Sequence, residues 1–70
     1  MYRKCNASEI RGEAKRLGAK GYCLIVDGEQ LHFSRWSRRI ESEYESVDAD
    51  HPPQIYRNML GELTIDWDWM

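Results

Sequence analysis

The sequence predicts a small α+β domain, with one or two helices packed on one face of an antiparallel sheet of three to four strands. Three observations carry that prediction. An amphipathic segment with a capping signal opens the chain, an Asp-Gly dipeptide joins two β-prone runs, and the tail alternates between apolar and polar residues. Seventy residues make a single domain, 1–70, because a second would be too small to hold a core. A hydrophobic content of 41% places the chain among globular rather than disordered sequences.

The first element reads as a helix. Asn6 can cap it, and Glu9 can reach back to the Asn6 amide in a capping box. Ile10, Ala14 and Leu17 form a narrow apolar stripe, with Arg11, Lys15 and Arg16 pointing away, and Gly18 or Gly21 ends the element. The β-prone run Tyr22–Val26, the turn Asp27-Gly28 and the return Gln30–Trp36 then predict a hairpin. The first strand has no polar position and belongs in the middle of the sheet. In the return strand Leu31 and Phe33 face one side, His32 and Ser34 the other.

Segment 37–47 satisfies two patterns. Ile40 and Tyr44 alternate with Glu41, Glu43 and Glu45 as in a strand, yet Trp36, Ile40, Tyr44 and Val47 also fit a helix. A third antiparallel strand is favoured, because a helix sets Glu41 and Glu45 one turn apart, a repulsive pair. The run to Pro52-Pro53 is a loop, Gln54–Leu60 reads as a short helix stopped by Gly61, and the tail is a strand. On that strand Leu63, Ile65, Trp67 and Trp69 share one face; Glu62, Thr64, Asp66 and Asp68 share the other. The expected order is α-β-β-(β)-α-β.

Charge is divided along the chain. Residues 1–39 carry nine Lys or Arg against four acids, a net of +5; residues 40–70 carry one Arg against eight acids, a net of −7. Such asymmetry bears on partners and association. The acids Glu41, Glu43, Glu45, Asp48, Asp50, Asp66 and Asp68, fringed by Trp67 and Trp69, predict a surface that docks on a basic protein groove. The expected partner is a larger protein with a basic surface, of the nucleic-acid machinery. Small phage or mobile-element inhibitors such as anti-CRISPR proteins use this strategy, an analogy of strategy alone. The alternative is a nucleic-acid-binding domain built on Arg35, Trp36, Arg38 and Arg39, whose guanidiniums suit phosphates while the ring stacks. A third class is self-assembly, the basic half of one copy meeting the acidic half of another in a homodimer.

Enzymatic chemistry is not expected. Cys5, Cys23, His32 and His51 lack the short spacing that presents two ligands to one zinc, so neither a metal nor another cofactor is predicted. Cys23 and His32 are taken not to pair directly across the hairpin, which removes a Cys–His nucleophile. Asp66 and Asp68 on one strand face read as solvated rather than as an acid–base pair. Cys5 and Cys23 read as two reduced thiols. With no apolar stretch of signal-peptide or membrane-span length, a cytoplasmic location without membrane partner is expected.

Overall fold

A computed structural model describes residues 2–69. The order of elements is α1 (Ala7–Leu17), β1 (Tyr22–Val26), β2 (Glu29–Phe33), α2 (Arg38–Ser46), β3 (Gln54–Arg57) and β4 (Leu63–Asp66). The strands form one sheet in the order β2-β1-β4-β3. β1 lies centrally, as its uninterrupted apolar character requires. The sheet is mixed, which corrects the expected all-antiparallel arrangement: β1 pairs antiparallel with β2 but parallel with β4. The parallel pairing follows from connectivity, since the chain crosses over through α2 and β3 before β4 returns beside β1.

Helix α1 forms as its caps dictate. The Asn6 side chain accepts from the Glu9 amide at 2.9 Å, and the Glu9 carboxylate accepts from the Asn6 amide at 3.3 Å. Arg3 donates to both Glu9 oxygens; that bond and the Asn6 amide bring the Glu9 carboxyl down to about 2. Asp27 and Gly28 take φ of 53° and 79°, the double positive φ of a primed hairpin turn. Gly21 takes φ of 97°, and a Cβ there would stand 3.1 Å from the Phe33 carbonyl oxygen, so only glycine lets β1 start beside the end of β2.

Two segments correct the sequence reading. Residues 38–46 are helical, not a third antiparallel strand, and residues 54–57 are a strand, not a helix. In α2, Ile40 and Tyr44 are 0% and 3% exposed. Burying two such side chains is worth about 1.5–3 kcal/mol each. The Glu41–Glu45 repulsion that favours a strand costs only about 0.2–0.5 kcal/mol. Packing therefore decides. For 54–57, a seven-residue helix is too short to hold itself. The extended form instead pairs Ile55 with Ile65 and closes a hairpin through Asn58, whose side-chain oxygen accepts from the Leu60 and Glu62 amides.

Both helices cover one face of the sheet. The core holds Ile10 and Ala14 from α1, Ile40 and Tyr44 from α2, and Tyr22, Leu24, Leu63 and Ile65 from the strands, with Trp67 just beyond β4. An aromatic column runs through it, Tyr22–Trp36–Tyr44–Trp67, with centroid spacings of 5.4, 5.6 and 5.6 Å. The other face has no helix over it and carries Cys23, His32, Tyr56, Thr64 and Asp66, with Cys23 and Thr64 buried at its centre. Among the described residues no helix is long and apolar enough to cross a membrane.

Helix α2 is charged against its own dipole. Arg38 and Arg39 sit in its first turn with Glu41 as the one acid there, its last turn has no basic residue, and Ser37 makes no side-chain cap. Lys4 compensates from the other end of the chain. Its ammonium donates to the carbonyls of Tyr44 at 3.1 Å and Val47 at 2.9 Å, and lies 5.2 Å from the Tyr44 ring centre. Lys4→Met is expected to destabilise the domain by about 1–3 kcal/mol, the worth of hydrogen bonds from a charged donor. A thermal melt followed by circular dichroism checks this; an unshifted midpoint contradicts it.

Candidate functional site

The hairpin turn and the end of α2 bring carboxylates together at one end of the molecule. Two adjoining concavities open there, both bordered by Val26, Asp27 and Asp48. Asp50, His51 and Asp68 extend one, Glu43 and Val47 the other, and neither is lined by a Lys or Arg. The loop carrying Asp48 and Asp50 is held by Trp69, whose indole N–H donates to the Pro52 carbonyl at 2.9 Å and whose ring meets His51 edge-on.

The expected acidic residues divide by what their carboxylates do. Glu43, Asp48 and Asp50 make no side-chain hydrogen bond or ion pair among the described residues and face solvent or the concavities. Glu41 and Glu45 line the outer side of α2 with Arg38, and Glu41 also accepts from the Trp36 indole at 3.2 Å. Asp66 accepts from the Asp68 amide at 2.8 Å and from the Tyr56 hydroxyl at 3.3 Å. Asp68 grips the hairpin turn, accepting from the Asp27 and Gly28 amides at 3.0 and 2.8 Å. These last two acids build the end rather than offer themselves freely. Trp67, expected to fringe the surface, is 4% exposed and belongs to the core, whereas Trp69 is 41% exposed. The alternation of the tail holds through Ile65 and Trp67, but β4 ends at Asp66 and Trp69 leaves the sheet.

The opposite end is basic. Phe33, Ser34, Arg35, Ser37, Arg38 and Arg39 line a concavity with His32, at the far end of β1 and β2 from the Asp27-Gly28 turn. Neither the Trp36 ring, expected to stack on bases, nor the Phe33 ring beside it is free. Trp36 is wedged edge-on between Tyr22 and Tyr44, and the Phe33 ring lies 6.0 Å under the Arg39 guanidinium. The five residues of β1 span about 13 Å between the two ends, longer than the ~8 Å Debye length at physiological salt. Asp27, Asp48 and Asp50 therefore lie more than a screening length from Arg35, whereas Glu43 stands one helical turn from Arg39 and shares a concavity with it, so the two signs meet along the flank of α2. Among the described residues the ion pairs are Arg3–Glu9, Arg16–Glu13 and His32–Glu62, and none joins an early arginine to a late carboxylate.

On the helix-free face the hairpin register pairs Cys23 with His32. This corrects the expectation that the turn keeps them apart. Counting outward from Asp27-Gly28 sets Val26 opposite Glu29, and three steps further Cys23 opposite His32, so the signal was present in the turn itself. Glu62 completes the group: its carboxylate lies 2.9 and 3.1 Å from the His32 Nδ1. The Cys23 thiol is 1% exposed, and burial first, then the charges of Glu62 and Asp66, push its pKa up. A buried, protonated thiol is a poor nucleophile. Asp27, read from sequence only as a turn residue, is the other member missed: folding carries it to the acidic end.

Compared with protein-family models, curated proteins and solved structures, the chain matches none.

Proposed function

We propose that the protein is a non-catalytic interaction module, an inhibitor or regulator that docks its acidic end on a basic, nucleic-acid-binding surface of a larger protein. The observation that supports this reading is the cluster Asp27, Asp48 and Asp50 with Glu43 at its edge, drawn from three separate segments; no Lys or Arg lines the two concavities they border, although Glu43 also meets Arg38 and Arg39 along the flank of α2. Exposed charges of one sign steer encounter with a surface of the other, and Trp69 beside them supplies an aromatic anchor. Docking there competes with phosphate for the same basic groove.

The test is competition. The protein, immobilised, captures its partner from nuclease-treated extract, and the complex is then challenged with duplex DNA or RNA. Release of the partner by nucleic acid is the expected result. Retention under saturating nucleic acid contradicts the reading.

One observation favours a second reading, in which the chain itself binds nucleic acid. Arg35, Arg38 and Arg39 border one concavity, and none is in an ion pair among the described residues. With Trp36 and Phe33 engaged inside the fold, such binding would rest on phosphate contacts alone and fall steeply with salt. A mobility shift of labelled DNA or RNA by the chain at low salt distinguishes it from the first reading.

A further inference from the structure

We propose that Cys23, His32 and Glu62 form a binding site for a divalent transition-metal ion of the zinc class. The three side chains come from β1, β2 and the residue preceding β4, and one donor atom from each lies within 4.8 Å of the other two. Around a tetrahedral zinc, sulfur, nitrogen and oxygen donors stand about 3.2–3.7 Å apart, given metal–ligand lengths of about 2.0–2.3 Å. The group is thus near ligand spacing, and an inward movement of about 1 Å closes it. Long separation in sequence conceals the site: the sheet supplies the proximity that short-spaced motifs obtain from a turn.

The donor set is chemically coherent. Thiolate, imidazole and carboxylate together suit a borderline cation such as Zn²⁺, and two anionic ligands balance its two positive charges. Glu62 is fixed in place before any ion arrives. Asn58 donates through its side-chain nitrogen to Glu62 Oε1 at 3.0 Å and accepts from the Glu62 amide at 2.9 Å. The carboxylate also lies against His32 Nδ1, which sets the orientation of the ring; an ion entering between them takes the place of that hydrogen bond, the neutral imidazole then carrying its proton on Nε2. Access is from the His32 side, for that side chain is 44% exposed while Cys23 lies beneath at 1%.

A second observation points to the same place. Thr64 is 0% exposed, and among the described residues its hydroxyl has no hydrogen-bond partner. Thr64 is the register neighbour of Cys23 across β1 and β4 and shares its sheet face. A buried hydroxyl left unpaired costs about 1–3 kcal/mol, so a site on this face that offers it an acceptor is favoured. A Cys23 thiolate held by a metal is such an acceptor, as is a water completing the fourth position. On binding, the thiol proton passes to solvent and the sulfur–metal bond forms; no electron transfer is involved.

The test titrates the full chain with Co²⁺ under reducing conditions, then displaces it with Zn²⁺. The expected result is one ion per chain, a thiolate-to-cobalt charge-transfer band in the near ultraviolet, and tetrahedral visible bands that zinc abolishes. Cys5→Ser should leave the spectrum intact. Cys23→Ser and His32→Gln should weaken binding by more than about 100-fold, since even partners outside the ligand shell are worth about 10- to 100-fold. His32 is exposed, so His32→Gln should keep the native far-ultraviolet spectrum and guard against loss of folding as the cause. No charge-transfer band with stoichiometric ion, a band that survives His32→Gln, or one that disappears with Cys5→Ser overturns the proposal.

Discussion

Replacing Trp67 with Ala is expected to bring the domain close to unfolding at room temperature. Trp67 is 4% exposed, its ring lies 5.6 Å from that of Tyr44, and its indole N–H donates to the Tyr2 hydroxyl at 3.2 Å. Its own amide donates to the Ile25 carbonyl at 2.8 Å, extending the β1–β4 pairing past the last residue of β4. Truncating a buried Trp to Ala costs about 3–5 kcal/mol. Stability of about 0.05–0.15 kcal/mol per residue gives a 70-residue domain roughly 3.5–10 kcal/mol in all. A fall in melting temperature of more than about 12 °C follows, at about 4–8 °C per kcal/mol for a domain this size. A smaller fall, measured by circular dichroism, would mean that the aromatic column does not anchor the tail.

Neutralising the acidic end is expected to weaken partner binding without harming the fold. The informative variant is Glu43→Gln, Asp48→Asn and Asp50→Asn together. Asp68 is left alone because it holds the Asp27 and Gly28 amides, and its loss would disturb the turn for reasons unrelated to docking. None of the three substituted carboxylates makes a side-chain hydrogen bond among the described residues, and removing like charges relieves repulsion, so the melting temperature should hold or rise. At about 0.2–1 kcal/mol for each exposed charge pair, three losses amount to about 0.6–3 kcal/mol, or roughly 3- to 150-fold in affinity. The loss should appear chiefly in the association rate and shrink as salt is raised. Binding equal to the parent at low salt would show that these acids only keep the domain soluble.

The sequence was most legible where a local rule and the tertiary environment agree. The Asn6–Glu9 capping box, the Asp27-Gly28 turn and the central position of Tyr22–Val26 each follow from chemistry within a few residues of chain. Helix α2 was misread because its spacing fits both a helix and a strand, and the Glu41–Glu45 repulsion that tipped the reading is small; Arg38 and Arg39 at its positive end and the lack of a side-chain cap at Ser37 give the helix little local support beyond Glu41. What holds it is distant, the buried faces of Ile40 and Tyr44 and the ammonium of Lys4. Gln54–Arg57 was misread for a related reason. Its extended form depends on pairing with β4, and the Asn58 side chain that ties the turn has partners visible only once the hairpin closes. The candidate site was partly legible. Charge division along the chain pointed to separate acidic and basic surfaces, but halves of the sequence are not halves of the molecule, and Arg39 and Glu43 border one concavity on α2. Asp27 crosses to the acidic end, Arg57 reaches the Leu17 carbonyl at the C-terminus of α1, and Trp67 turns inward.

Two variants assayed side by side test the segregation of charge most directly. One carries the three acidic-end substitutions; the other replaces Arg35, Arg38 and Arg39 with Gln. Capture of the nucleic-acid-releasable partner should fall for the first and persist, or strengthen, for the second. Loss of capture in the arginine variant, with the acidic variant unaffected, would contradict the account and place recognition at the other end of the molecule.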